Sequence, residues 1–193
     1  MTLAPRKLLS RSQRHAVILQ GAATAFASKG FASTAMEEVA AASGITKEIV
    51  YRHFPSKEAL YRAVLDAVSQ QVQEEFTRAC QESESGSSIR SILAVGRPQP
   101  DALRLLLRHA AREPEFADYA HTVRNRVIHW VLQRRGHDDP VFRRWAAEVA
   151  VSHVRNAVLT WLEVGDPARD AEFVRRCFAG VNALWIAWNA PIE

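Results

Sequence analysis

Between Thr34 and Lys57 the apolar positions change phase twice in quick succession, which predicts two short helices joined by a tight corner. Met36, Val39 and Ala40 recur at helical spacing and give the first helix an apolar face. Thr34, with Glu37 three residues on, reads as a capping box at its start. Ser43-Gly44 stops it, because glycine accepts the left-handed backbone that such a corner requires. Ile45 plugs the corner, Thr46 is placed to cap the second helix, and Val50 and Phe54 form its inner face. Ala40 is small, as suits a place where two helices cross steeply. These are the marks of a helix-turn-helix over about residues 34–53.

Proline and glycine punctuate the rest of the chain into further helices. The pattern predicts a long helix from Ser56 to Gln81, ended by the polar run 82–88, and a short one from Ile89 to Val95. Asp101 is expected to cap a helix to Arg112, which Glu113-Pro114 breaks, and another runs from Glu115 to Arg135 with Gly136 as its stop. Asp139-Pro140 and Asp166-Pro167 open two more, to Val164 and Trp188, with Gly165 between them. No alternating strand pattern interrupts the series, so the expected class is all-α.

The last two helices are apolar on more than one side. Phe142, Trp145, Ala146 and Val149 mark one face of the first, while Val151, Val154, Val158 and Trp161 spread toward another. The second carries a wide stripe from Phe173, Val174, Cys177 and Phe178 to Val181, Leu184, Trp185 and Trp188. A helix apolar all round must be buried all round. These two are therefore expected to pair with their symmetry mates as a four-helix bundle, making a two-fold homodimer. Ordinary intramolecular core is the plainer explanation of the same stripe.

Charge changes the picture by its location. Residues 1–57 hold eight Lys or Arg against three Glu, a net of +5, and the remainder holds seventeen against eighteen, so that +5 and −1 recover the formal +4. A basic end on a near-neutral body suits a nucleic-acid binder, although a merely solvated basic face has the same look. The helix-turn-helix sharpens this reading. Lys47, Glu48 and Ile49 occupy the first turn of its second helix, the part that meets base edges in a major groove. Tyr51, His53 and Lys57 follow at positions suited to phosphate, as do the hydroxyls of Thr34 and Thr46. Each has a duller role available: Tyr51 as a half-buried core aromatic, His53 as a local cap, Glu48 as a complement to the helix dipole. As a set they point to DNA. Glu48 would accept from a cytosine amino group and Ile49 would pack on a thymine methyl. Arg6, Lys7, Arg11 and Arg14 are expected to form a basic arm touching phosphate or the adjacent minor groove.

This stretch resembles the DNA-binding domain of the TetR (tetracycline-repressor-like) family of transcriptional regulators. The likeness runs upstream through ILQGAATAFASKGF (Ile18 to Phe31) and downstream through YRHFPSKEALYRAVLDAV, covering about residues 11–71. Glu48 and Ile49 depart from it, standing where the family usually has glycine and a small hydroxyl residue. The resemblance implies an N-terminal DNA-binding domain (11–71) and a C-terminal domain (72–193) that binds an effector and dimerises. It also implies a repressor whose effector swings the fourth helix and re-spaces two heads on a palindromic operator. His109, Tyr119, Arg126, His129, Trp130, Trp145, His153 and Asn156 are polar or aromatic positions near apolar faces; of these, His109, Arg126, Trp130, Trp145 and Asn156 are expected to line the effector pocket. So many aromatics favour a largely apolar effector.

Other classes fit less well. No HExxH, CxxC, phosphate-loop or nucleophile-elbow pattern occurs, and His121 and His129 lack a carboxylate at metal-ligand spacing, so no enzyme, cofactor or metal is expected. Cys80 and Cys177 stand apart and read as small buried or half-buried hydrophobes. No apolar run reaches the roughly 18 residues of a membrane span, and the N-terminus lacks a signal's apolar core, so a cytoplasmic protein is expected. Two alternatives stay open: an all-helical small-molecule carrier dimer with vestigial DNA binding, and a small all-α transferase.

Overall fold

The computed structural model describes residues 10–81, 85–134, 139–188 and 190. Within them every regular element is helical: α1 (Arg11–Lys29), α2 (Met36–Ser43), α3 (Lys47–His53), α4 (Lys57–Gln81), α5 (Ser87–Gly96), α6 (Pro100–Arg104), α7 (Ala117–Arg134), α8 (Pro140–Val164) and α9 (Asp170–Trp188). A π turn, Leu105–His109, and a 3-10 turn, Ala110–Arg112, continue α6, and a second 3-10 turn, Pro167–Arg169, leads into α9. The arm residues Arg6 and Lys7, part of the polar run after α4, and Gly136 lie outside the described residues. No described helix is long and apolar enough to cross a membrane. The chain forms two compact units, one up to Ala67 and one from Val68 on.

In the first unit Ile18, Ala22 and Phe26 of α1, Val39 and Ala40 of α2, Val50 of α3 and Leu60, Tyr61 and Leu65 of α4 are buried. Phe26 and Phe31 both set their rings edge-on against Tyr61, at 5.0 and 5.1 Å between centroids. The helix starts differ in detail from expectation. Ser10 opens α1 with a full capping box: its hydroxyl accepts from the Gln13 N–H, and its own N–H donates to the Gln13 amide oxygen. At α2 the cap is Ala35, one residue later than expected, and Glu38 rather than Glu37 accepts the Ala35 N–H at 2.9 Å. Thr34 is instead buried, and its hydroxyl donates to the carbonyls of Gly30 (2.7 Å) and Ala25 (3.3 Å). Thr46 sits at the start of α3 in extended backbone, yet its side chain makes no capping bond.

The corner after α2 behaves as its sequence demands. Gly44 takes the left-handed conformation (φ 61°), and its N–H closes on the carbonyls of Ala40 and Ala41. The close crossing is carried by Gly21 of α1, since a Cβ there would lie 2.3 Å from the Ser43 hydroxyl oxygen and 2.7 Å from the Ser43 nitrogen. Ala40, on α2, is buried.

In the second unit, Ile128 of α7, Ala146, Ala147 and Ala150 of α8 and Trp185 of α9 form a buried cluster. Asp139 caps α8 by accepting from the N–H groups of Val141 and Phe142, with Pro140 in the first turn. Arg97, at the end of α5, is bonded through both Nε (2.9 Å) and a terminal nitrogen (2.5 Å) to Asp170 at the start of α9. The Trp161 indole N–H donates to the same carboxylate at 2.7 Å, and its ring stacks on Phe173 at 4.8 Å. Arg97, more than any other partner, holds the Asp170 carboxyl below its ordinary range. Cys177 is buried, and Cys80 is exposed rather than half-buried.

Two glycines in the first unit resist substitution for different reasons, and thermal unfolding should separate them. Gly21→Ala forces α1 and α2 apart and is expected to cost about 1–3 kcal/mol. Gly44→Ala has open space around it but a strained backbone, and is expected to cost about 1 kcal/mol. An unchanged midpoint for Gly21→Ala would show that the helices do not touch there.

Candidate functional site

Seven residues are too few for a helix that stands alone. α3 is held by its neighbours: Val50 is fully buried, and Phe54, whose N–H closes on the Val50 carbonyl at 2.9 Å, is buried just after it. With those two turned inward, Lys47, Glu48, Tyr51 and Arg52 are exposed and Ile49 is half-buried. Thr46, Lys47, Glu48, Ile49 and Tyr51 are thus brought together on one short surface.

Their charges are partly committed. Lys47 forms an ion pair with Glu37 of α2, and its ammonium lies 5.7 Å from the centre of the Tyr51 ring. The hydrogen bond from Lys47 is the main reason the Glu37 carboxyl is held low, and the Lys47 ammonium is correspondingly raised. Lys29 of α1 pairs with Glu38 and is the main reason that carboxyl is held low. Both pairs are exposed and therefore weak, so a phosphate can compete for either lysine. Glu48 is held low by its own backbone N–H and then by the Thr46 hydroxyl.

Two of the expected contacts are spent elsewhere. The Lys57 ammonium donates to the carbonyls of Phe31 (2.9 Å) and Ala32 (3.2 Å) and lies 4.6 Å from the centre of the Phe31 ring. It ties the α1–α2 connection to the start of α4, a tertiary role that no local pattern announces. Thr34, with its hydroxyl bonded to backbone and its surface 2% exposed, has no side chain to offer DNA.

What the sequence reading missed is the company of His53. Its ring centre lies 6.2 Å from that of His15 in α1, and His15 packs at 5.0 Å against Phe54. The His53 imidazole is depressed first by burial, then by the charges of His15, Arg11, Arg14 and Arg52. Five basic side chains, from the first turns of α1 and the last turn of α3, therefore gather at one edge of the α3 surface. The signal lay in RSQRH, which puts Arg11, Arg14 and His15 on one side of α1, but their meeting with Arg52 and His53 is tertiary.

The second unit does not collect its candidates into one lining. Arg126 and Trp145 are exposed; Trp130 is half-buried, edge-on to Phe76 at 5.1 Å, with the Arg134 guanidinium 4.3 Å from its ring centre. Asn156 lines an open hollow of about 380 Å³ with His153, Thr160, Trp161, Val164 and Phe173. His109 is half-buried in the π turn, and its imidazole is depressed by burial and then by Arg104, Arg112 and Arg108. Tyr119 is half-buried, and His129 is exposed with a ring nitrogen 2.9 Å from the Gln133 side-chain amide. Among the described residues no group of three His, Cys, Asp or Glu is placed to hold a metal.

Comparison with known proteins falls on the same residues. Positions 18–64 match the profile of the tetR family of bacterial regulatory proteins. Over 57 residues the chain is 39% identical to the HTH-type transcriptional activator FasR of Mycolicibacterium smegmatis, a match covering 30% of this chain and 26% of that protein. The shared region is thus about a quarter of the relative's length. A TetR-like transcriptional regulator from Rhodococcus superposes with a TM-score of 0.76 at 18% identity, covering 93% of this chain and 97% of the other. The structure of AibR in complex with isovaleryl coenzyme A and operator DNA gives a TM-score of 0.62 at 18% identity, covering 86% and 97%. At these identities the likeness is one of fold.

His53 carries a pH signature. Its imidazole is harder to protonate folded than unfolded, so below the ordinary imidazole range, near 6.5, the unfolded chain binds more protons. Stability should therefore fall as pH drops through about 6.5, and His53→Gln should flatten that slope. Equal slopes in wild type and variant, read from denaturant midpoints between pH 5 and 8, would refute the assignment.

Proposed function

We propose that this chain, whose residues 18–64 match the profile of the tetR family of bacterial regulatory proteins, is a ligand-responsive repressor which binds a palindromic operator as a homodimer. The observation that carries this reading is the outward surface of α3. Val50 fixes one side of the helix in the core, while Lys47, Glu48, Ile49 and Tyr51 occupy the other beside a cluster of arginine and histidine. In this reading Glu48 and Ile49 meet base edges, and Lys47, Tyr51, Thr46 and the cluster hold phosphates. His53, depressed in the free protein, would be protonated beside a phosphate, so DNA should bind more tightly below neutral pH.

The dimer is supported by apolar surface that the second unit leaves in water. Val164 is 78% exposed, Ile186 72%, Phe142 51% and Trp145 45%, all on α8 and α9. Patches of this kind mark interaction sites. Pairing α8 and α9 with those of a second copy would cover them and set two recognition helices about 34–36 Å apart, one turn of DNA. The effector would bind in the body, residues 72–193. α4, whose first turns belong to one compact unit and the remainder to the other, would carry the signal between them. The protein would work in the cytoplasm, where its operator lies. Repression is the simpler output, since an occupied operator excludes polymerase by bulk alone; the relative named FasR is an activator, which needs a further contact.

Binding of the full-length chain to duplexes selected from random sequence would test the reading, followed by fluorescence anisotropy. Affinity should fall steeply with salt as counterions are released, whereas the carrier alternative predicts no operator at all. Lys47→Ala and Tyr51→Ala should weaken all sequences alike. Glu48→Ala and Ile49→Ala should relax the choice of base by about 1–3 kcal/mol per contact. No binding to any member of the pool at low ionic strength would sink the proposal. In sedimentation the wild type should be a dimer at micromolar concentration and the double variant Phe142→Glu, Trp145→Glu a monomer; a monomeric wild type overturns the dimer.

A further inference from the structure

A second concentration of positive charge lies in the body, around the π turn. At Leu105–His109 the backbone widens so that the Ala110 N–H reaches the Leu105 carbonyl, and the following turn tightens to 3-10. Such wide turns are rare and occur frequently at functional sites. Arg104 and Arg108 flank this one and both approach the same Glu163 carboxylate oxygen on α8, each at 3.8 Å. Nearer the start of α8, Glu148 is taken by two other arginines, Arg124 of α7 and Arg144 one turn back.

Arg155 stands between those two carboxylates, seven residues after Glu148 and eight before Glu163, on the same side of α8. It is half-buried, and its guanidinium is depressed first by burial and then by the charges of Arg124 and Arg108. Its described polar contact is a long one, 3.4 Å from Nε to the Asn156 side-chain oxygen, and among the described residues no carboxylate pairs with it. Among the described residues, the five guanidiniums of Arg104, Arg108, Arg124, Arg144 and Arg155 here share the three carboxylates of Asp101, Glu148 and Glu163. A half-buried cation beside like charges is unfavourable unless an anion joins it. Arginine presents the planar fork that fits a carboxylate or phosphate with two parallel bonds. Leu105 and Leu106, between Arg104 and Arg108, and Val158 and Leu159, one turn after Arg155, are buried.

We propose that Arg155, flanked by Arg108 and Arg124, anchors the oxyanion of the effector, a carboxylate or a phosphate carrying an apolar tail. The inference rests on the reading that the body binds an effector, and it changes the expected class from a largely apolar molecule to an anionic amphiphile. Arg108, which is exposed, would meet the ligand first, and the half-buried Arg155 would hold it.

Calorimetric titration of the full-length protein with octanoate, octyl phosphate and octanol decides the matter. At least one anion is expected to bind about tenfold or more tightly than octanol, as charge-assisted bonds to arginine imply. The tighter of octanoate and octyl phosphate names the headgroup. Arg155→Gln should erase the advantage of the anion and Arg155→Lys should keep part of it, while Arg175→Gln, on exposed α9 surface, should change nothing. The ligand-free Arg155→Gln protein should melt no lower than wild type, because the uncompensated charge is gone. Octanol binding as tightly as both anions, no binding by either anion, an anion advantage that survives Arg155→Gln, or a marked fall in its melting temperature would each overturn the site. DNA affinity measured in parallel without ligand reports on the regulator reading alone, so the two can fail separately.

Discussion

Where α1 passes the end of α2 there is room for a hydrogen atom and nothing larger. Gly21 supplies it, with Ser43 so close that a methyl group would collide with both its hydroxyl oxygen and its nitrogen. The rest of the head follows from that approach. The buried Ser43 hydroxyl turns back to the Val39 carbonyl at 2.7 Å, so no polar group is stranded at the crossing. Gly44 then reverses the chain, and α3 leaves with Val50 and Phe54 already aimed at the core. The direction in which Lys47, Glu48 and Tyr51 point is therefore fixed by two larger helices. α3 inherits its rigidity.

Charge is distributed by a similar economy. The head has few acids, and two of them, Glu37 and Glu38, each hold a lysine across a helix boundary. Guanidinium and imidazole without a carboxylate partner among the described residues gather where α1 begins and α3 ends. The body has nearly balanced charge in total, yet locally it too leaves guanidinium in surplus, beside the π turn. One cluster lies on open surface, where water and salt screen it; the other is half-buried, where an anion is worth more. An exposed cluster suits a polyanion of any sequence, and a half-buried one suits a single small headgroup.

Much of the architecture was legible because it is local. Asp139-Pro140 and Ser43-Gly44 specify their own backbone, and the ends of α4 and α8 fell within a residue of expectation. The start of α2 was misjudged by one residue because Glu37 and Glu38 are adjacent and either can complete a box; the choice went to Ala35 once the Thr34 hydroxyl had been drawn down to Gly30. The site was legible in its exposed face and illegible in its tertiary partners. Lys57 looks like a phosphate ligand until Phe31 and Ala32 claim it from 26 and 25 residues away. His15 carries no meaning until the fold sets it beside His53. Arg155 has a helical position anyone can read, but its isolation depends on which carboxylates other arginines have taken.

The wide turn at Leu105–His109 is in effect one residue too many for a regular helix. Each residue of an α-helix advances about 100° around the axis, so absorbing an extra one rotates everything after it relative to everything before. Losing a single position there would let an unbroken coil form and swing the Arg108 side chain about a quarter-turn away from Glu163. The surplus residue thus behaves as a register key: a chain lacking it would keep the same run of helices while presenting a differently charged face beside α8.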